Sequence, residues 1–287
     1  MAYQPAVLAV VFDFDDTLVP DSTTKLLKSK GVDTEKFWGK DVPNLVDEGY
    51  DPPLAYLRLM LEMVGDERPL GHLRLADLTG FGATLDDDFY PGLPDLFDEL
   101  QGMVKEYRDI SIEFYIISGG LEAVVLGSNT VKKHFSGVYG CRLGEDHQTG
   151  LVAHISRCIT FTEKTRYLFE INKGIGAKES FANPYMVNKD LPPSNRRIPF
   201  PNMIYVGDGL TDIPCFSLLR KEHGVAFGVF KPDSESAARK AFTEFLSPGR
   251  VISMHHPRYR KDDELGSFLR AAVTTRCGKI LVERGEA

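Results

Sequence analysis

Three acidic residues occur within four positions near the start of the chain, in VVFDFDDTL (residues 10–18). They follow the apolar, β-branched run VLAVVF (residues 7–12), which predicts a buried strand. Carboxylates at such a place lose hydration and repel one another, so a divalent cation would offset the cost of ionising them. Oxygen ligands of this kind suit Mg²⁺. Asp13 and Asp15 could converge on one site, where one attacks a phosphorus atom and the other moves a proton. The alternative is a turn with acidic helix caps.

Two glycine-containing turns could complete such a site. In FYIISGGL (residues 114–121) a predicted strand ends at Ser118, whose hydroxyl and following backbone N–H groups could hold a phosphoryl oxygen at a helix N-terminus. In IYVGDGLTD (residues 204–212) another strand ends near Asp208, and Asp212 could support a metal ion through water. Each turn is common in proteins, so each is a weak indication when taken alone.

A lysine near these acids could neutralise both an attacking carboxylate and the group being transferred. Lys164 lies in FTEKTR, at the predicted start of a helix that follows a short strand. Most lysines at such positions are simply solvated. Lys173 and Lys178 are the alternatives for this role.

The elements that must position these residues alternate between strands and helices. The predicted strands are residues 7–12, 112–117, 203–206 and 224–229. The predicted helices between them include residues 93–107, 121–134, 164–173 and 212–220. This alternation indicates a doubly wound, Rossmann-like α/β fold with a parallel sheet. Such sheets bind ligands at the carboxyl ends of their strands, where all the candidate residues would lie.

Residues 20–88 carry helical periodicity and no convincing strand, which predicts an inserted α-helical cap. We therefore expect an α/β core of residues 1–19 and 89–287 and a cap of residues 20–88 that moves as a lid. The Pro- and Asn-rich stretch at residues 180–201 predicts a long loop, and the tail beyond Val251 predicts a strand and a helix. We expect substrate specificity to lie in the cap and in this loop.

The order of the motifs (paired acids, serine, lysine and G-D-G-x-x-D) resembles the haloacid dehalogenase superfamily over residues 7–18 and about 90–230. The place of the cap is similar to the C1 class, typified by the phosphoserine phosphatase-like subgroup. The resemblance implies a Mg²⁺-dependent phosphomonoester hydrolase in which Asp13 forms an aspartyl-phosphate and Asp15 is the acid and base. It further implies phosphoryl binding by Thr17, Ser118, Gly119 and Lys164, and Mg²⁺ binding by Asp13, Asp208 and the Asp15 carbonyl.

One position departs from the phosphoserine phosphatases, which carry a glutamate that recognises the substrate's amino group. Here Ser22 stands at that place, with Asp21 beside it, so phosphoserine is not favoured and the expected substrate is a small soluble phosphometabolite. A phosphomutase on the same core is one alternative. A phospho-acceptor signalling or binding protein without turnover is another, although a receiver module would be shorter and would lack the cap.

Composition sets the remaining expectations. A hydrophobic fraction of 43% and a charged fraction of 26% are typical of a soluble globular protein. The net charge of −7 argues against nucleic acid or a membrane surface as the partner, and no apolar run approaches the ~20 residues that span a bilayer. The four widely spaced cysteines suggest thiols in a reducing compartment, so we expect a cytoplasmic protein. The oligomeric state is not predicted.

Overall fold

A computed structural model describes residues 6–232 and 234–286, in which seven strands form one sheet in the order β4-β3-β2-β1-β5-β6-β7. The strands are β1 (Ala6–Phe12), β2 (Ile110–Leu121), β3 (Phe135–Glu145), β4 (Val152–Arg157), β5 (Met203–Gly207), β6 (Val225–Val229) and β7 (Ser253–His255). Neighbouring strands are parallel except β3 and β4, which form an antiparallel pair. The predicted doubly wound α/β class is confirmed.

The central position of β1 determines where the candidate site lies. Its side chains from Leu8 to Phe12 are fully buried, as expected for an apolar run that is covered on both faces. Phe12 is in register with Ile116 of β2 on one side and Val206 of β5 on the other. β1 and β5 therefore end side by side, while β2 continues to Leu121 beside the turn that follows β1.

Between β1 and β2 the chain forms helices, and the part of the structure that covers residues 20–88 contains no strand, only an isolated bridge between Val64 and Gly71. The helices are α1 (Ser22–Ser29), α2 (Thr34–Lys36), α3 (Val42–Asp47), α4 (Pro52–Glu62) and α5 (Leu75–Ala83). Asp21 caps α1 by accepting a hydrogen bond from the backbone N–H of Thr24. The predicted helical insertion is confirmed, whereas its behaviour as a separate domain stays a prediction.

Eight further helices accompany the remaining strands. They are α6 (Asp95–Lys105), α7 (Glu122–Val125), α8 (Asn129–His134), α9 (Glu163–Lys173), α10 (Ala177–Ala182), α11 (Ile213–Lys221), α12 (Glu235–Ala241) and α13 (Glu264–Glu283). Within the described residues, none of them has the length and apolarity that crossing a membrane requires.

The predicted single helix at residues 121–134 is wrong, because the chain breaks into α7 and α8. The Ser128 side chain accepts a hydrogen bond from the backbone N–H of Val131 and so caps α8. The Asp86 carboxylate accepts hydrogen bonds from the Ser128 hydroxyl and the Asn129 backbone. A carboxylate of the insertion therefore helps to start a new helix in the core.

The predicted loop at residues 180–201 includes the end of α10 and short 3₁₀ turns. Arg197 pairs with Glu113 near the start of β2. Immediately after the loop, the Asn202 side chain donates to the carbonyl of Val7 at 3.2 Å. The role of this loop in substrate specificity stays a prediction.

The C-terminal segment packs over the first motif. The Tyr259 hydroxyl is buried and donates to the carbonyl of Thr17 at 2.7 Å, and its backbone N–H donates to the carbonyl of Pro91 at 2.7 Å. Gly92, at φ +94°, approaches so closely that a Cβ there would overlap the backbone of Arg260. Residues near both ends of the insertion are thereby attached to the C-terminal part of the chain.

Two glycines allow α5 of the insertion to approach α7 of the core. A Cβ on Gly82 would overlap the carbonyl oxygen of Val124, and one on Gly127 would lie 2.7 Å from the Cα of Gly82. We predict that Gly82→Ala lowers the free energy of unfolding by about 3 kcal/mol in urea denaturation, because backbone atoms cannot yield as a flexible side chain can.

Gly80→Ala is the matched control in the same helix, since a Cβ there meets nothing within 4 Å. It should raise the free energy of unfolding by up to about 1 kcal/mol through helix propensity. Equal effects of the two substitutions would contradict a close contact between α5 and α7.

Candidate active site

Three carboxylates meet beyond the ends of β1 and β5. Asp13, Asp208 and Asp212 each place an oxygen within 4.8 Å of the others. The backbone N–H of Asp13 donates to the carbonyl of Val206 at 2.9 Å, which fixes the end of β1 against β5. The structure thus brings together the acids that the sequence places almost 200 residues apart.

Lys164 is the cation of this cluster. Its side chain is fully buried at the start of α9, and Nζ lies 2.9 Å from Asp13 Oδ2 and 2.7 Å from Asp212 Oδ1. Burial disfavours its charge, but the two carboxylates outweigh burial and raise the pKa of Lys164. The alternatives lie elsewhere: Lys173 donates to backbone carbonyls of the loop after α10, and Lys178 is exposed.

Asp212 is held by three donors, which fix its orientation. Besides Lys164 it accepts hydrogen bonds from the Tyr205 hydroxyl at 2.7 Å and from the backbone N–H of Gly209 at 2.9 Å. Gly207 is required nearby, because a Cβ there would lie 2.5 Å from an Asp212 oxygen. Asp212 therefore anchors the lysine, and its support of a metal through water stays a prediction.

Asp15 occupies a separate position on the turn after β1. One of its oxygens accepts a hydrogen bond from the backbone N–H of Ser22 at 2.7 Å. Burial, followed by the nearby charge of Asp21, raises the pKa of Asp15 to about 7. A Cβ on Gly120 would collide with its other oxygen, so this glycine makes room for the carboxyl group. Ser118, Gly119 and Gly120 lie within β2, so the prediction that they form a turn at a helix N-terminus is wrong.

The pKa values of Asp13 and Asp208 are also raised. Burial raises the pKa of Asp13 to about 6, although Lys164 counteracts it. Burial and the charges of Asp13 and Asp212 raise the pKa of Asp208 well above its usual value. Asp16, to which the sequence assigned no role, pairs with Lys231 at 2.8 Å. The site holds more carboxylates than ammonium groups, and all its candidate ligands are oxygens, which fits a hard divalent cation such as Mg²⁺.

Two hydroxyls predicted to hold a phosphoryl group lie close by. Thr17 is fully buried, and its Oγ1 has no hydrogen-bond partner within residues 6–232 and 234–286. The Ser118 hydroxyl is buried and accepts a hydrogen bond from the backbone N–H of Gly120 at 2.9 Å. An unpaired buried hydroxyl is costly, so Thr17 Oγ1 fits a site that an acceptor completes.

A cavity of about 200 Å³ opens onto these groups. It is lined by Asp13, Asp15, Asp16, Asp21, Thr23, Trp38, Tyr56, Ser118, Gly119, Gly120, Asp208, Gly209 and Thr211. Trp38 and Tyr56 come from the insertion, with ring centroids 5.7 Å apart. The Tyr56 hydroxyl donates to the carbonyl of Gly119 at 2.7 Å. Sequence reasoning missed both rings, although Trp38 is the single tryptophan of the chain and lies in the helical insertion.

Comparisons with known proteins give distant similarities. No family model matches the chain. A protein of Borreliella burgdorferi described as uncharacterized is 29% identical over 291 residues, covering 92% of this chain and 95% of that protein. Two phosphoserine phosphatase structures, a phospho-aspartyl intermediate analogue and a substrate-bound complex, are 16% and 15% identical, each with a TM-score of 0.49. They cover 93% and 92% of this chain, and 99% and 97% of their own. Gene product AF1437 from Archaeoglobus fulgidus is 11% identical, with a TM-score of 0.46, over 98% of this chain and 87% of its own.

The raised pKa values predict how stability changes with pH in the absence of metal. Asp13 and Asp15 have pKa values of about 6 and about 7 in the folded protein, against an ordinary value of 3.8. Between pH 3.8 and these higher values the two carboxyl groups stay protonated in the folded protein but ionise in the unfolded chain. The free energy of unfolding therefore falls as pH rises. In EDTA, Asp15→Asn should therefore weaken this fall between pH 4 and 7 and unfold at a higher Tm than the wild type at pH 8.

Asp87→Asn is the control, because Asp87 is an exposed carboxylate outside the cluster. Its Tm should follow that of the wild type across the series. If the Tm of Asp15→Asn declines as steeply as that of the wild type, Asp15 does not carry the shifted pKa.

Proposed function

We propose that the protein is a Mg²⁺-dependent phosphomonoester hydrolase that works through an aspartyl-phosphate on Asp13. The observation that carries this proposal is the buried ion-paired group of Asp13, Lys164 and Asp212 beside Asp208, with Asp13 and Asp208 lining a small open cavity. Burying three carboxylates against one lysine is costly for a purely structural purpose, and perturbed acids in a cleft are typical of catalytic sites.

The metal would be held by the carboxylates of Asp13 and Asp208 and by the backbone carbonyl of Asp15. When bound, Mg²⁺ supplies positive charge that offsets the carboxylates and the phosphoryl oxygens. The raised pKa of Asp208 supports this assignment, because the carboxylate is poorly compensated by the residues around it. Asp212 is already satisfied by its three donors, so we assign it to positioning Lys164.

In the proposed reaction a carboxylate oxygen of Asp13 attacks phosphorus as the bond to the leaving oxygen breaks. Asp15 gives its proton to the departing alcohol, then takes a proton from the water that hydrolyses the aspartyl-phosphate. A pKa of about 7 suits both directions of this transfer near neutral pH. Lys164 offsets negative charge, while the Thr17 and Ser118 hydroxyls and the backbone of Gly119 would hold the phosphoryl oxygens.

Residues 20–88 would act as the cap over the core of residues 1–19 and 89–287. This assignment is supported by Trp38 and Tyr56, which line the same cavity as Asp13. The cap would thus contact the leaving group while the core carries out the chemistry. A volume of about 200 Å³ suits a small phosphometabolite.

The chemistry of the cavity wall favours a neutral or cationic leaving group. Beyond the phosphoryl end, the wall has the rings of Trp38 and Tyr56 and the carboxylate of Asp21, whereas the carboxylate of Asp16 is already paired with Lys231. No lysine or arginine is among its lining residues in the described part of the chain. Aromatic faces and carboxylates attract an ammonium group and repel an anion, so we propose an ammonium-bearing phosphate ester as the substrate class.

A small-molecule substrate makes nucleic acid or membrane partners unnecessary, and we propose a cytoplasmic location. The four cysteines Cys141, Cys158, Cys215 and Cys277 are free thiols, which supports a reducing compartment.

Release of phosphate from an aryl phosphate tests the reaction class. We expect turnover with Mg²⁺ and none in excess EDTA. Asp13→Asn should lower kcat by about 10⁴-fold or more, because an amide oxygen is a poor nucleophile. Asp208→Asn should lower activity mainly by weakening the response to Mg²⁺.

Asp87→Asn should keep wild-type activity, since Asp87 lies on the exposed surface. Tm measurements establish that each variant is folded. Unchanged turnover in EDTA would reject the metal, whereas stable phosphorylation of Asp13 without phosphate release would favour a phospho-acceptor protein.

Two esters of similar size test the substrate class. We expect kcat/KM for 2-aminoethyl phosphate to exceed that for phosphoglycolate by at least about tenfold, because the leaving group of the second is an anion. Trp38→Ala should lower kcat/KM for the ammonium ester about fivefold, the loss expected from one cation–π contact. Tyr185→Ala, which removes a ring 78% exposed, should change neither value. A preference for phosphoglycolate would reject the assignment.

A further inference from the structure

Two thiols face each other where β3 and β4 meet. Arg142 of β3 is paired with Arg157 of β4 in the antiparallel ladder, and Cys141 and Cys158 are the adjoining positions on the two chains. The backbone N–H of Ile159, the residue that follows Cys158, donates to Cys141 Sγ, which places Cys158 beside this thiol. Opposed residues in an antiparallel pair have Cα atoms about 4.5–5.5 Å apart, which lies within the range that a disulfide bridges.

The buried member of this pair contacts the proposed phosphoryl-binding segment at Gly119. Cys141 Sγ donates to the carbonyl of Gly119 at 3.3 Å and accepts a hydrogen bond from the backbone N–H of Ile159 at 3.2 Å. The same Gly119 carbonyl accepts the hydroxyl of Tyr56. The Cys141 thiol and Tyr56 of the insertion therefore both donate to the carbonyl of Gly119, the residue that follows Ser118.

The surroundings of the pair favour ionisation of one thiol. The neighbouring Cys158 thiol lowers the pKa of Cys141 against the opposing effect of burial, and the Ile159 N–H contributes in the same direction. The Cys141 thiol and burial raise the pKa of Cys158, which is partly exposed. Both directions favour Cys141 as the thiol that ionises.

We propose that Cys141 and Cys158 are a redox-active pair that hydrogen peroxide converts to a disulfide, and that this disulfide weakens the phosphoryl-binding segment at Gly119. The Cys141 thiolate attacks one peroxide oxygen and the O–O bond breaks, which gives a sulfenic acid and hydroxide. The Cys158 thiol then displaces water from that sulfur, and the hydroxide takes up the proton first lost from Cys141. Two thiols and one peroxide give one disulfide and two waters.

The effect on the site follows from the lost donor. A disulfide sulfur cannot donate a hydrogen bond, so the Gly119 carbonyl would keep only Tyr56 as its side-chain donor. The expected effect on hydrolysis rests on the proposed function. The expected formation of the disulfide is independent of it. We expect the oxidised protein to show kcat/KM about fivefold lower, the change that one lost hydrogen bond produces.

The experiment treats the full-length protein with hydrogen peroxide, in the presence of Mg²⁺, and maps unreduced peptides by mass spectrometry. Wild type should yield a peptide pair linked through Cys141 and Cys158, with a loss of activity that dithiothreitol reverses. Cys158→Ser should yield no such linked peptide, because Cys141 then has no partner thiol. Cys277→Ser is the matched control, since it removes a buried thiol of α13 and should still form the link.

Absence of the linked peptide in wild type would overturn the proposal. A link that leaves kcat/KM unchanged would overturn its effect on the site. Amide hydrogen exchange of residues 118–121 measures the weakening at Gly119 without an activity assay. The protection of these amides should fall when the protein is oxidised. A protein that hydrolyses no ester but forms the link and loses this protection would reject the proposed function and still support the redox pair.

Discussion

The buried ammonium of Lys164 is the interaction on which the rest of the site depends. It bridges carboxylates 151 and 48 positions away in the sequence, and both it and Asp212 are fully buried. Each buried ion costs several kcal/mol unless it is closely paired. Removing the lysine would leave Asp13 and Asp212 uncompensated, so one contact fixes the start of α9, the end of β1 and the turn after β5 together.

One lysine does not neutralise this many acids. The remaining negative charge can be offset either by protonation or by a bound cation. With pKa values of about 6 and about 7 for Asp13 and Asp15, part of the negative charge can be removed by protonation alone. A divalent ion on Asp13 would compete with its proton for the same carboxylate oxygens. The positions of Asp13 and Asp208 at the ends of neighbouring parallel strands bring this excess together where a substrate can reach it.

Much of this arrangement could be predicted from local sequence, because buried strands and the turns after them have short, recognisable patterns. The apolar runs gave β1, β2, β5 and β6, and the glycine turns located Ser118 and Asp208. A short strand was predicted before the helix of Lys164, where β4 lies, but β3 (FSGVYGCRLGE) was missed because it includes three glycines, which weaken a strand pattern. Trp38, Tyr56 and the contact of Cys141 with Gly119 could not be predicted, since they depend on how the insertion and the hairpin pack against distant turns.

The hydrogen bond from Tyr259 to the carbonyl of Thr17 has a consequence for how the protein is made. These residues are 242 positions apart, and β1 also needs β5, which lies almost 200 residues after it, as a neighbour. Contacts between remote segments form slowly, and synthesis releases the chain from its N-terminus. The first motif therefore leaves the ribosome 242 residues before Tyr259 can complete its surroundings, so a chain that stops before Tyr259 would carry the acids without the finished site.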